Sequence, residues 1–120
     1  MPSDRYGTIH LVGDHVEIIV PGRRRFFRRP PDVNHRLNWS DITRVIAFKR
    51  DCFTVDSIRL AFEINGTHVI EVHEDMAGWR ALVDAIPEHL PGALSHEEWF
   101  GKVAFPAFEP CPTTLYACES

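Results

Sequence analysis

No apolar run in this chain approaches the length of a membrane span, which excludes a transmembrane helix. The first residues, MPSDRYGTIHLVGDH, lack a basic start followed by an apolar core, which predicts no secretion signal and a cytoplasmic location. Cysteine is scarce: Cys52, Cys111 and Cys118 are odd in number and unevenly spaced, which suits a reducing compartment better than a disulfide framework. There is no Cys-x-x-Cys and no His-x-x-x-His, so no closed metal motif is legible and no cofactor is implied. Gly7, Gly13, Gly22 and Gly66 stand singly at turns, which excludes a glycine-rich phosphate loop. Ser40, Ser57 and Ser95 sit in no Gly-x-Ser-x-Gly elbow, and no catalytic residue is assigned. Basic charge is not in excess: 13 Lys and Arg stand against 17 Asp and Glu, a net charge of −4 that argues against dedicated nucleic-acid binding.

What is present describes a scaffold. At 120 residues, 44% hydrophobic and with three Trp, the chain suffices for one domain with a real core. Residues 58 to 90 are the most informative. Ile58, Leu60, Phe62 and Ile64 alternate on one strand, and His68, Ile70 and Val72 on the next, around Asn65-Gly66. A two-residue loop would put Ile70 and Val72 on the wrong face. A three-residue loop, Ile64-Asn65-Gly66, pairs Leu60 with Ile70 and Ile58 with Val72, and sets Arg59 opposite Glu71. Trp79, Leu82, Val83, Ile86 and Leu90 then recur at spacings of three and four, the stripe of a helix with one buried face. Asp75 is the expected N-cap, and Pro87 and Pro91-Gly92 are expected to end the helix.

A second hairpin opens the chain. A Gly13-Asp14 turn pairs Leu11 with Val16 and Ile9 with Ile18. Residues 23 to 29 read as an edge strand, 35 to 39 as a short strand, and 42 to 48 as a strand on β-branched content. Ser95 with Glu98 forms a capping box for a short helix closed near Gly101. The remaining tail is too apolar to be free and is expected to dock, with Leu115 and Tyr116 in a last strand.

The expected fold is α+β: a mostly antiparallel, strongly bent sheet or partly open barrel of about six strands, capped by an amphipathic helix. Residues 7–90 form the sheet and capping helix of a single domain, 1–120; residues 91–120 add the short helix and the extended tail. This arrangement resembles the pleckstrin-homology-like (PH-like) class, in which a bent sheet is capped by a C-terminal helix. Trp39-Ser40-Asp41-Ile42 is similar to the W-x-D-I step of bacterial members. The segments KRD, VHEDMAGW, LPG and VAFPAF look like those of small bacterial proteins whose kinship implies no activity.

Three groups of residues carry candidate chemistry. Arg23, Arg24, Arg25, Arg28 and Arg29 flank Phe26 and Phe27. Guanidinium groups hold phosphate bidentately, so the strip suits an anionic ligand, and the resemblance points to a lipid headgroup; the plainer reading is an edge strand guarded by charge. Trp99, Phe100, Phe105 and Phe108 cluster late in the chain and suit an interface with a protein partner or a second copy; the plainer reading is packing of the tail. Glu71, His73, Glu74 and Asp75 concentrate acid and imidazole at a strand end, which suits metal or acid/base work less well than helix entry. The expected function is a non-enzymatic binding or scaffold module for a protein partner or itself. Recognition of an anionic ligand through the arginine strip ranks second, and a small metal-dependent or acid/base enzyme last.

Overall fold

The computed structural model describes residues 7–21, 33–52, 55–104 and 112–118. Thr8–Val12 (β1), His15–Val20 (β2) and Val33–Asn38 (β3) form an antiparallel sheet in the order β1-β2-β3. A 3-10 turn at Trp39–Asp41 leads into a second antiparallel sheet. It comprises Ile42–Cys52 (β4), Val55–Ile64 (β5), His68–His73 (β6) and, after the helices, Thr113–Ala117 (β7), in the order β6-β5-β4-β7. Two helices, Trp79–His89 (α1) and His96–Ala104 (α2), lie between β6 and β7 in sequence. Among the described residues the architecture is α+β with seven strands in two sheets and no closed barrel, where about six strands in one bent sheet or partly open barrel were expected.

The first hairpin has the expected register, with Leu11 opposite Val16 and Ile9 opposite Ile18. The second does not. Its loop has three residues, but they are Asn65, Gly66 and Thr67, so Leu60 pairs with Val72 and Phe62 with Ile70. Asn65 and Gly66 both have positive φ, at 51° and 71°, as a primed turn requires, and Thr67 N–H donates to the Ile64 carbonyl at 3.0 Å. The 3-10 turn and the start of β4 decide the placement. Asn65 N–H donates to the Asp41 carbonyl at 2.9 Å, and Gly66 N–H to Thr43 Oγ1 at 3.1 Å. The slip is two residues, so each side chain keeps its face. Arg59 now lies opposite His73 and reaches Glu71 diagonally, Nη1 to Oε1 at 2.9 Å.

The segment before α1 turns a corner against β1. Ile9 N–H donates to the Ala77 carbonyl at 2.7 Å and Ala77 N–H to the Gly7 carbonyl at 3.1 Å. There Gly78, with φ 90°, takes the N-cap position of α1 that Asp75 was expected to hold. A Cβ on Gly78 would drive into the Ile9 carbonyl oxygen, so the close approach of α1 to β1 demands glycine. Pro87 lies inside α1 and does not end it. In the last turn it forfeits only one N–H, and Leu90 N–H still closes onto the Ile86 carbonyl at 2.8 Å. α2 starts with the expected box, Ser95 N–H donating to Glu98 Oε1 at 2.9 Å, but runs through Gly101 to Ala104.

One buried cluster joins all these elements. Val16, Ile18 and Leu37 come from the first sheet, Val45, Leu60, Phe62 and Val72 from the second, Leu82, Val83 and Ile86 from α1, and Trp99 and Val103 from α2. Each large aliphatic side chain there is worth about 1.5–3 kcal/mol of burial.

Candidate functional site

The sequence-chosen residues separate. Arg23, Arg24, Arg25, Arg28, Arg29, Phe105 and Phe108 lie outside the described residues, as do the expected 23–29 edge strand and Cys111. Trp99 is 1% exposed and belongs to the core, so it is not available as a surface anchor. Its amphipathic helix presses it inward, where it meets His96 edge-on at 5.4 Å. Phe100 is half-buried beside it, 4.6 Å from His96.

The acid and imidazole group at the end of β6 is engaged in structure. Arg59 takes Glu71, Glu74 Oε1 accepts from Ile58 N–H at 3.2 Å, and His73 Nδ1 stands 3.8 Å from Asp75 Oδ2. Burial first, then the Arg59 charge, lowers the His73 pKa below its usual 6.5, against the pull of Asp75 and Glu71. No three His, Cys, Asp or Glu side chains converge in a metal-binding arrangement among the described residues. His10 lies opposite Glu17, and the Glu17 carboxylate is bonded to the buried His15, Oε1 to Nε2 at 3.4 Å.

A different place on the molecule is concave. β7 hangs on the border of β4, and Cys118 N–H donates to the Thr43 carbonyl at 2.8 Å. Residues along a strand alternate in direction, so Ala117, next to Cys118, turns its main-chain groups away from β4, while Leu115 is the extra residue of a bulge between Thr114 and Tyr116. Leu94 N–H takes the Leu115 carbonyl at 3.0 Å, which ties the α1–α2 connection to β7 at one point. Beside that tie lies a cleft of about 610 Å³, bounded by Pro91, Gly92 and Leu94 on one side and Thr114 to Cys118 on the other. A second cleft, about 430 Å³, adjoins it, sharing Tyr116 and Cys118. Its floor is Trp39, stacked on His89 at 4.5 Å with the rings 4° from parallel.

Polar groups rim this second cleft. Asn38 Nδ2 donates to Asp41 Oδ2 at 3.1 Å, and Arg36 Nε donates to Asn38 Oδ1 at 3.2 Å. Asp14 Oδ1 sits 3.3 Å from His15 Nδ1, and that hydrogen bond chiefly holds the carboxyl below its usual range. The Tyr116 phenol is raised by desolvation first, then by the charge and hydrogen bond of Cys118. Cys118 is an exposed thiol outside any disulfide. The clefts offer an aromatic floor, hydrogen-bonding rims and a strand border. Trp39 had a sequence signal in Trp39-Ser40-Asp41-Ile42, but His89 and Tyr116 had none, because they meet it only through folding. No family model matches the chain, and no curated protein and no solved structure matches it.

Proposed function

We propose that this chain is a non-enzymatic binding module, PH-like in its build, that takes an extended segment of a protein partner in the trough formed by the two clefts along β7. The observation that carries the reading is their junction at Tyr116 and Cys118, beside the outward main chain of Ala117. A strand laid there adds hydrogen bonds to the sheet while one side chain rests on the Trp39 and His89 floor. The PH-like build is supported by two successive antiparallel meanders followed by a helix. The test is selection from a random-peptide phage library. A consensus recovered by wild-type protein and lost with Ala117→Pro and His89→Ala supports the trough. No enrichment, or enrichment unchanged in both variants, refutes it.

A second reading keeps the anionic ligand. Arg23 to Arg29 fall in sequence between β2 and β3, whose facing end residues, Val20 and Val33, are 36% and 50% exposed. Binding to phosphatidylserine vesicles that weakens with salt and disappears in an Arg23/Arg24/Arg25→Ala variant selects this reading. Binding unaffected by the substitutions removes it. No helix among the described residues is long and apolar enough to cross a membrane.

A further inference from the structure

β6 borders the four-stranded sheet on the side opposite β7 and the proposed trough. Its hydrogen-bonding direction follows from two bonds already formed. Glu74 N–H donates to the Ile58 carbonyl, and Asn65 N–H donates to the Asp41 carbonyl. Even-numbered residues of β5 therefore turn toward β6, and odd-numbered ones toward β4. On β6 their partners His68, Ile70 and Val72 turn back toward β5. Val69 lies between them, so its N–H and C=O point away from the sheet and its side chain stands on the outer face. It is 63% exposed, more than any other exposed large hydrophobic residue described. The strand has no proline, lysine or bulge, the usual guards of a sheet border.

We propose that a second copy of this chain pairs with this border, strand β6 against strand β6 and antiparallel, across a two-fold axis at Val69. The axis makes the contact isologous, so it closes at two copies and does not propagate. The strand is self-complementary in this register. Val69 faces the second copy's Val69 as a β-branched cross-strand pair, His68 faces Ile70, and Thr67 faces Glu71. Centring the axis on Ile70 sets each Val69 against Glu71, apolar against charge. Centring it on Glu71 sets two like charges face to face, which disfavours pairing. A contact over six residues falls below the roughly 1,200 Å² of a standard interface, so the dimer is weak and forms at high concentration.

Light scattering of the purified chain from about 10 µM to about 1 mM, together with three variants, tests this. Val69→Pro removes an N–H that β5 does not use, so the folded monomer persists. Wild-type protein is expected to reach twice the chain mass, and Val69→Pro to stay at the monomer mass with an unchanged circular dichroism spectrum. V69E and V69K each place like charges across the axis and are expected to be monomers. Mixed in equal amounts they form a heterodimer, which native mass spectrometry resolves. A wild-type monomer throughout the range overturns the proposal, as does a dimeric Val69→Pro. V69K dimerising alone, or a mixture that stays monomeric, overturns the Val69 register. None of these outcomes bears on peptide selection at the β7 trough.

Discussion

The two helices begin in opposite ways. α2 carries its own start, with Ser95 N–H held by the Glu98 carboxylate and acidic residues Glu97 and Glu98 in the first turn. α1 has no acidic residue in its first turn and no side-chain cap; its N-cap is Gly78 in a left-handed conformation. Its start is positioned by the Gly7, Ile9 and Ala77 main chain, which brings α1 against β1. A locally capped helix is anchored afterwards by its packing, whereas a helix capped by a tertiary corner depends on that corner for its first turn.

This contrast can be broken from either side. The largest effect is expected at Trp99, which holds α2 in the core. Trp99→Ala should cost about 3–5 kcal/mol in urea unfolding, and a loss below about 1 kcal/mol would show that α2 is held otherwise. Gly78→Ala should cost about 2–4 kcal/mol, combining left-handed strain with the collision against the Ile9 carbonyl. The same substitution in α2, Gly101→Ala, relieves an exposed helical glycine and should instead stabilise by up to about 1 kcal/mol.

Two smaller effects depend on pH. His73 stands at the turn that feeds α1, its carbonyl accepting Met76 N–H at 3.1 Å. Its folded pKa lies below 6.5, so the unfolded chain binds the proton first as pH falls. Stability should be greatest above pH 6.5 and decline as pH drops through the folded pKa. His73→Gln should flatten that decline in thermal melts across this window. The Glu98 pKa is lowered below 4.5 by its bond to Ser95 N–H, so its contribution is present above 4.5 and lost as pH falls through the folded value. Glu98→Gln should lower Tm slightly at neutral pH and abolish the acid-side dependence of α2 helicity. An unchanged acid limb would mean that the box contributes nothing to α2.

The legible parts share a physical character. The Gly13-Asp14 hairpin, the Ser95 and Glu98 box and the buried stripe of α1 arise from periodicity or from groups a few residues apart, and the strand at 42 to 48 from its β-branched content. The β5–β6 loop was legible in length but not in placement, because Asp41 in the 3-10 turn and Thr43 on β4 hold Asn65 and Gly66. Asp75 looked like a cap because an acid precedes the stripe, yet the corner at Ala77 starts the helix later. Trp99 reads as an interface residue because it falls in a late aromatic cluster, and amphipathic packing of α2 places it inside. The grouping of the cleft was illegible, since Trp39, His89 and Tyr116 lie on three separate elements.

By itself the sequence determined most of the strands and both helices among the described residues, the apolar side of α1, and the cap of α2 at Ser95. Those outcomes rest on dihedral preference, side-chain period and local hydrogen bonds, all of which act within a few residues. Only the tertiary structure decided the division into two sheets, the register of β5 against β6, the start of α1 at Gly78 and the pairing of Trp39 with His89. Each depends on main chain or rings from distant parts of the chain arriving within hydrogen-bonding or contact distance, and that arrival is a property of the packed core.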